Sequence, residues 1–320
     1  MSTLVMFLHA LFVGIAAANK MQRVVFVNNN LIDGEKSLVW SFDLASRRVT
    51  RLPASLSSSF DFVSGAAICG DSYYAIHAEI ETGTVGLTFV ANFSTSAAVQ
   101  YLAVPSLLHA VWCDPQQPGR LLVVRSDPGT PEAIFYVARY DPSTQTSNDV
   151  AQIPTTWNWA EDDAVFAFDV SANRVWASGP VTSGVFENSG AVFAVDVSAN
   201  GTSTAFTLGY EAGWLGFLFP TSSSTGFGYR QLDQNYDLRW ATFTLEAGKV
   251  TCTDGSTVST TLWAGGSPLA ACDDVVVAAS LPSNNLTLAD ARTGKTIWSA
   301  SLESLGVKAP NAGALAAVCA

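Results

Sequence analysis

Apolar residues along this chain come in short runs, and the runs come in pairs separated by small polar turns. The clearest stretch is Ala164 to Leu208, which reads AVFAFDVSANRVWASG, then a Gly/Ser/Asn-rich gap, then AVFAVDVSANGTSTAFTL. Each half is an apolar run, an Asp, a Ser/Ala/Asn turn and a second run rich in Val, Thr and aromatics. That pattern predicts two β-hairpins in tandem. Helical periodicity is not convincing anywhere beyond the first residues.

Weaker copies of the unit recur. Runs with a shared small-to-medium apolar character begin at Ala66, Ala110, Val165, Gly216, Leu269 and Leu315, between 44 and 55 residues apart. A period of roughly 40 to 55 residues with four strands per unit is the signature of an all-β propeller, with these runs as the innermost strands of the blades. The run at Leu315 has no unit after it. The segments Arg23–Val27, Leu38–Leu44 and Val49–Leu52 form a first unit lacking its inner strand. The C-terminal strand is therefore expected to complete the first blade, which gives six four-stranded blades in one domain over residues 19–320 and leaves no open sheet edge. Seven blades is the alternative, if the long fifth unit hides an irregular hairpin.

Asp recurs where outer hairpins turn, at Asp43, Asp141, Asp196 and Asp290. A carboxylate there accepts hydrogen bonds from backbone N–H groups of its own turn, so these acids are expected to be structural rather than catalytic. The last of these turns continues as Ala289-Asp290-Ala291-Arg292-Thr293-Gly294-Lys295-Thr296-Ile297-Trp298. This string resembles the TGK-x-x-W motif of quinoprotein (PQQ-type) propeller repeats. The resemblance implies a related blade in which the Trp packs between neighbours. It does not extend to a quinone cofactor, because the cofactor- and metal-binding residues of that family cannot be matched here.

Charge removes several classes of partner. The chain carries a net charge of −11 with only 13% charged residues. An acidic surface without a basic footprint argues against nucleic acid and against anionic membranes. Leu4 to Ala18 is apolar and ends Ala16-Ala17-Ala18 before Asn19-Lys20, as a secretory signal peptide spanning residues 1–18 does. An uncleaved anchor is the alternative, although a membrane-spanning helix needs about 20 residues. Sequons at Asn92, Asn200 and Asn285 fit an exported glycoprotein. The expectation is a secreted monomer that meets an extracellular protein or glycan.

In an exported chain the five cysteines predict disulfides. Cys69, Cys113, Cys272 and Cys319 end their inner strands at equivalent positions. Bridging needs Cα atoms about 4.4–6.8 Å apart, which favours Cys69–Cys113 and Cys272–Cys319, with Cys69–Cys319 as a rival. Cys252 is then the odd thiol, and its pairing with Cys272 would upset the scheme. No zinc spacing is present.

Two sets of loops share one face of a propeller: those leading into each inner strand, and those joining second and third strands. Candidate ligand contacts fall there: Asp61, His109, Trp157, Trp159, Glu161, Asp162, Glu211 and Trp214, together with His77. Aromatic rings alternating with acids suit stacking on sugars and hydrogen bonding to hydroxyls. The competing reading packs Trp157 and Trp159 between blades, and makes both histidines hydrogen-bonded structural groups rather than general bases beside Asp61 or Glu161. No nucleophile elbow, phosphate loop or zinc-protease motif occurs. No cofactor is called for. Calcium, taking six to eight oxygens, is the one ion that Asp61, Glu161, Asp162, Glu211 and Asn311 would suit. The sequence thus supports a ligand-binding propeller, with a metal-assisted hydrolase or lactonase as the other reading.

Overall fold

The computed structural model describes residues 21–29, 36–62, 65–95, 98–104, 106–127, 134–153, 165–180, 190–197, 201, 203–208, 214–221, 224–231, 238–257, 269–272, 275–280, 284–308 and 311–319. The leader at 1–18 and the sequon residue Asn200 lie outside them.

Strands follow one another in blades. The first contains β1 (Met21–Asn28), β2 (Ser37–Asp43) and β3 (Arg48–Leu56). The second contains β4 (Phe60–Asp61), β5 (Ala66–Cys69), β6 (Ser72–Glu79), β7 (Val85–Ala91) and β8 (Ala98–Leu102). The third runs β9 (Leu107–Cys113), β10 (Leu121–Ser126), β11 (Phe135–Asp141) and β12 (Thr146–Gln152). The fourth runs β13 (Val165–Asp169), β14 (Arg174–Pro180), β15 (Gly190–Asp196) and β16 (Ser203–Leu208). The fifth runs β17 (Trp214–Pro220), β18 (Thr225–Gln231), β19 (Leu238–Glu246) and β20 (Lys249–Thr257). The sixth runs β21 (Leu269–Cys272), β22 (Val275–Ser280), β23 (Asn285–Asp290) and β24 (Thr296–Ser301). The last strand, β25 (Ala312–Cys319), returns to the first blade.

The result is a six-bladed propeller. β25 lies antiparallel to β1, with Val24 opposite Ala317 and Val25 opposite Ala316, so the chain's end supplies the strand its beginning lacks. The fourth and fifth blades are further joined at their outer edges, where β16 pairs parallel with β20 through Thr207–Lys249 and Leu208–Val250.

The core sits between blades rather than inside any one. Alternation along each strand sends one set of apolar residues to each neighbour. On β6, Tyr73 and Ala75 pack with Val25, Val27 and Leu56 of the first blade, while Tyr74 and Ile76 pack with Leu121, Val123 and Ala138 of the third. Similar clusters join the third blade to the fourth, the fourth to the fifth, and the sixth to the first.

Tryptophans reinforce these junctions. Trp298 stacks on Phe42 of the first blade with centroids 5.1 Å apart, as the repeat resemblance implies. Trp240 of the fifth blade donates its indole N–H to the Ala291 carbonyl of the sixth at 2.6 Å. Gly294, at φ +66°, lies against that indole, where a Cβ would stand 2.6 Å from Trp240 Cγ.

The turn aspartates are structural where the structure describes their bonds. Asp43 accepts from the Ser46 N–H and hydroxyl, Asp141 from those of Ser143, and Asp290 from those of Thr293. These hydrogen bonds hold all three carboxyls below their ordinary pKa. Asp169 likewise accepts the Ser171 N–H and hydroxyl in the β13–β14 turn.

Cys69 and Cys113 form a disulfide between β5 and β9, with Cα atoms 5.6 Å apart. Cys252 lies half-buried on β20. The side chains of Cys272 and Cys319 lie outside the described residues, although their strands β21 and β25 are neighbours around the axis.

Candidate functional site

Three residues expected in loops belong to strands. Asp61 is in β4, His109 in β9, and Trp214 is the first residue of β17. The reason is that inner strands continue toward the loop face through irregularities instead of stopping short of it. β25 breaks register between Ala316 and Gly313, β9 at His109, and β17 at Gly216. In the second blade, β4 continues β5 along β6 after a break. Bulges let a strand re-aim its side chains while keeping most of its ladder. Trp157, Trp159, Glu161, Asp162 and Glu211 lie outside the described residues, as does the Trp214 side chain.

The two histidines are not brought together. His109 shares a hydrogen bond of 2.8 Å between Nε2 and the Ser126 hydroxyl, and packs edge-on to Phe135. His77 is 6% exposed and shares a 2.9 Å bond between Nδ1 and the Thr88 hydroxyl. Desolvation pulls the His77 imidazole down to about 4, so it is neutral at neutral pH. Asp61, paired with Ala78, lies on the adjacent register position of β4 rather than against His77. Its carboxyl is half-buried and pushed above its ordinary pKa by desolvation, and Oδ1 has no partner among the described residues.

His77 is the floor of a recess that sequence reasoning did not find. The recess opens on the loop face of the second blade and has a volume of about 240 Å³. Phe60, Glu79, Thr84, Gly86 and Tyr101 line it with His77. Phe60 lies over the imidazole with centroids 4.1 Å apart, and Tyr101 stands edge-on to it at 5.9 Å and 88°. The Tyr101 hydroxyl accepts the Ser57 N–H of the chain leaving the first blade, at 2.7 Å, which fixes the ring across the blade junction. Glu79 accepts the Thr82 hydroxyl, and the Thr82 oxygen in turn accepts the Thr84 N–H and lies 2.8 Å from the Thr84 hydroxyl. Gly86 is required, because a Cβ there would stand 2.5 Å from His77 Nε2. One signal was available in the sequence: a glycine inside the otherwise β-rich VGLTFV run marks a close approach.

Among the described residues, no three His, Cys, Asp or Glu side chains gather as a metal set. None of them forms a helix long and apolar enough to cross a membrane. Asn92 is exposed in the turn after β7, and Asn285 opens β23 half-buried.

No protein-family model matches the sequence. No curated protein matches it either. Solved structures do match in shape. A nidogen/laminin complex structure matches with TM-score 0.58 at 7% identity, covering 92% of this chain and 98% of that one. Hydrazine synthase from Kuenenia stuttgartiensis matches with TM-score 0.50 at 11% identity, covering 83% and 76%. A luciferin-regenerating enzyme matches with TM-score 0.50 at 8% identity, covering 76% and 77%. The chain is a β-propeller. At such identities the likeness shows the fold alone, and these neighbours perform different tasks on it.

Proposed function

We propose that this propeller is secreted and binds an extracellular protein or glycan through the face that carries the inner-strand approaches and the loops between second and third strands. The observation that carries the reading is the Phe60–His77–Tyr101 recess, because it puts aromatic walls and a carboxylate on that face. Tyr101 is 43% exposed, and a large exposed aromatic group in a recess that also carries polar side chains marks an interaction site. Secretion is supported by the apolar leader, the sequons and the Cys69–Cys113 bridge, a bond at home in an oxidising compartment. The nidogen/laminin neighbour was solved as a protein complex, which adds a precedent for the fold rather than a ligand for this chain.

The test is capture on arrays of secreted proteins and glycans. Tyr101→Leu should weaken a genuine hit, and a substitution on the opposite loop set, such as Ser143→Ala, should not. Equal capture by both variants would remove the face from the proposal.

A second reading, an extracellular hydrolase or lactonase using acids at the channel mouth, rests on Asp61. A half-buried carboxyl with a raised pKa, on the axial edge of its blade, has the properties of a site acid. Calcium is the ion such a site would take, and melting in calcium against EDTA tests it. A ligand that binds only the folded state raises Tm.

A further inference from the structure

We infer that the recess formed by Phe60, His77, Glu79 and Tyr101 receives a basic side chain, lysine or arginine, of a protein ligand. The inference rests on the loop-face binding reading and names its chemistry.

Size is the first argument. At about 240 Å³ the recess holds one side chain, whereas a drug-sized ligand takes about 300–1,000 Å³. The walls are the second. Three rings meet with centroids 4.1, 4.8 and 5.9 Å apart, and aromatic faces attract a cation within about 6 Å of their centroids. The imidazole floor carries no charge near neutral pH and does not oppose a cation. Glu79 then supplies the counter-charge. One of its oxygens accepts the Thr82 hydroxyl, and the second has no partner among the described residues. Among the described residues no lysine or arginine lines the recess, and the chain as a whole carries −11, which draws in a basic ligand.

A sugar fits these walls less well. The His77 face is almost wholly covered, the Tyr101 hydroxyl already accepts from Ser57, and the Thr82 hydroxyl is committed to Glu79 and Thr84. Few groups remain to meet a ring of hydroxyls. The exposed Tyr101 ring instead gives an apolar wall against which the stem of a long basic side chain would pack.

The test titrates the folded chain with N-acetyl-lysine methylamide and with its neutral norleucine counterpart, followed by chemical-shift change at the recess. The lysine probe should bind, and the norleucine probe should bind at least about fivefold more weakly. Glu79→Gln, which keeps the bond to Thr82, should weaken the lysine probe about three- to tenfold with Tm unchanged. Equal binding of the two probes overturns the inference. So does a lysine probe indifferent to Glu79→Gln, or displacement from the recess by a methyl glycoside but not by lysine. A protein captured on the array separates the two claims. If its affinity falls with Tyr101→Leu but not with Glu79→Gln, the basic side chain is wrong and loop-face binding stands. If neither substitution affects it, both fail.

Discussion

Asn29 grips the backbone of Phe62 from both directions. Its amide donates to the Phe62 carbonyl at 3.1 Å, and its carbonyl accepts the Phe62 N–H at 3.1 Å, both buried. Beside it, Asn28 does similar work at the ring closure, donating to the Lys308 carbonyl and accepting the Asn311 N–H. Two consecutive side chains at the end of β1 thus pin the chain segments leading into the two inner strands next to it. Asn29→Ala leaves two buried backbone groups unpaired and should cost about 2–4 kcal/mol by denaturant melts. Asn29→Asp, which can still accept but cannot donate, should fall between. A cost below 0.5 kcal/mol for the alanine variant would mean the clasp contributes nothing.

Closure also depends on Gly313. A Cβ there would stand 1.6 Å from the Phe62 carbonyl oxygen, a backbone atom that cannot swing away. Gly313→Ala should destabilise the fold by about 3 kcal/mol or more, or leave β25 undocked from β1. Protease sensitivity at the C-terminus would report the undocked strand. A variant with wild-type stability would show that β25 tolerates a shift there.

The Cys69–Cys113 bridge closes a chain loop of 44 residues' separation. On the chain-entropy account its loss costs about 4 kcal/mol, so Cys69→Ser should lower stability by about 2–4 kcal/mol. Reduction of the wild type should produce a similar loss, and no further loss in the variant.

Acid stability should fall in two separate windows. His77 is held neutral in the fold at a pKa of about 4, against about 6.5 when unfolded. Between those values the unfolded chain takes up a proton that the folded one refuses, so stability declines as pH falls from about 6.5 to 4. Glu79, on the same strand, eases protonation slightly and does not reverse the sign. Asp43, Asp141 and Asp290 act below that range, because their depressed pKa values make their contribution present above about 4 and lost at lower pH. His77→Gln should flatten the first window only. An unchanged slope between pH 6.5 and 4 would place the titrating group elsewhere.

Asp61 should run the other way. Its raised pKa penalises the fold once the carboxyl is ionised, so Asp61→Asn should raise Tm at pH 7 and make little difference at pH 3. If calcium raises the wild-type Tm and not that of Asp61→Asn, the carboxyl is a ligand. Identical Tm values in calcium and EDTA would remove the ion from the second reading.

The blade count, the inner strands and the closure by Leu315–Val318 were legible in the sequence. Each depends on short apolar runs repeated at blade length, and burial on both sides of a blade enforces such runs locally. The Asp turns and the Cys69–Cys113 pairing were legible for the same reason, since equivalent positions in repeated units become neighbours around an axis. The recess was not. Phe60, His77 and Tyr101 belong to three different strands, and nothing in their spacing says that a break between β4 and β5 turns Phe60 onto an imidazole. Gly313 against Phe62, and Asn29 around it, depend on strands almost the whole chain apart meeting at the closure. Local alternation fixes which neighbouring blade each side chain meets. Which atoms then touch is decided by how twisted sheets pack and where their inner strands bulge, and that is a property of the closed ring.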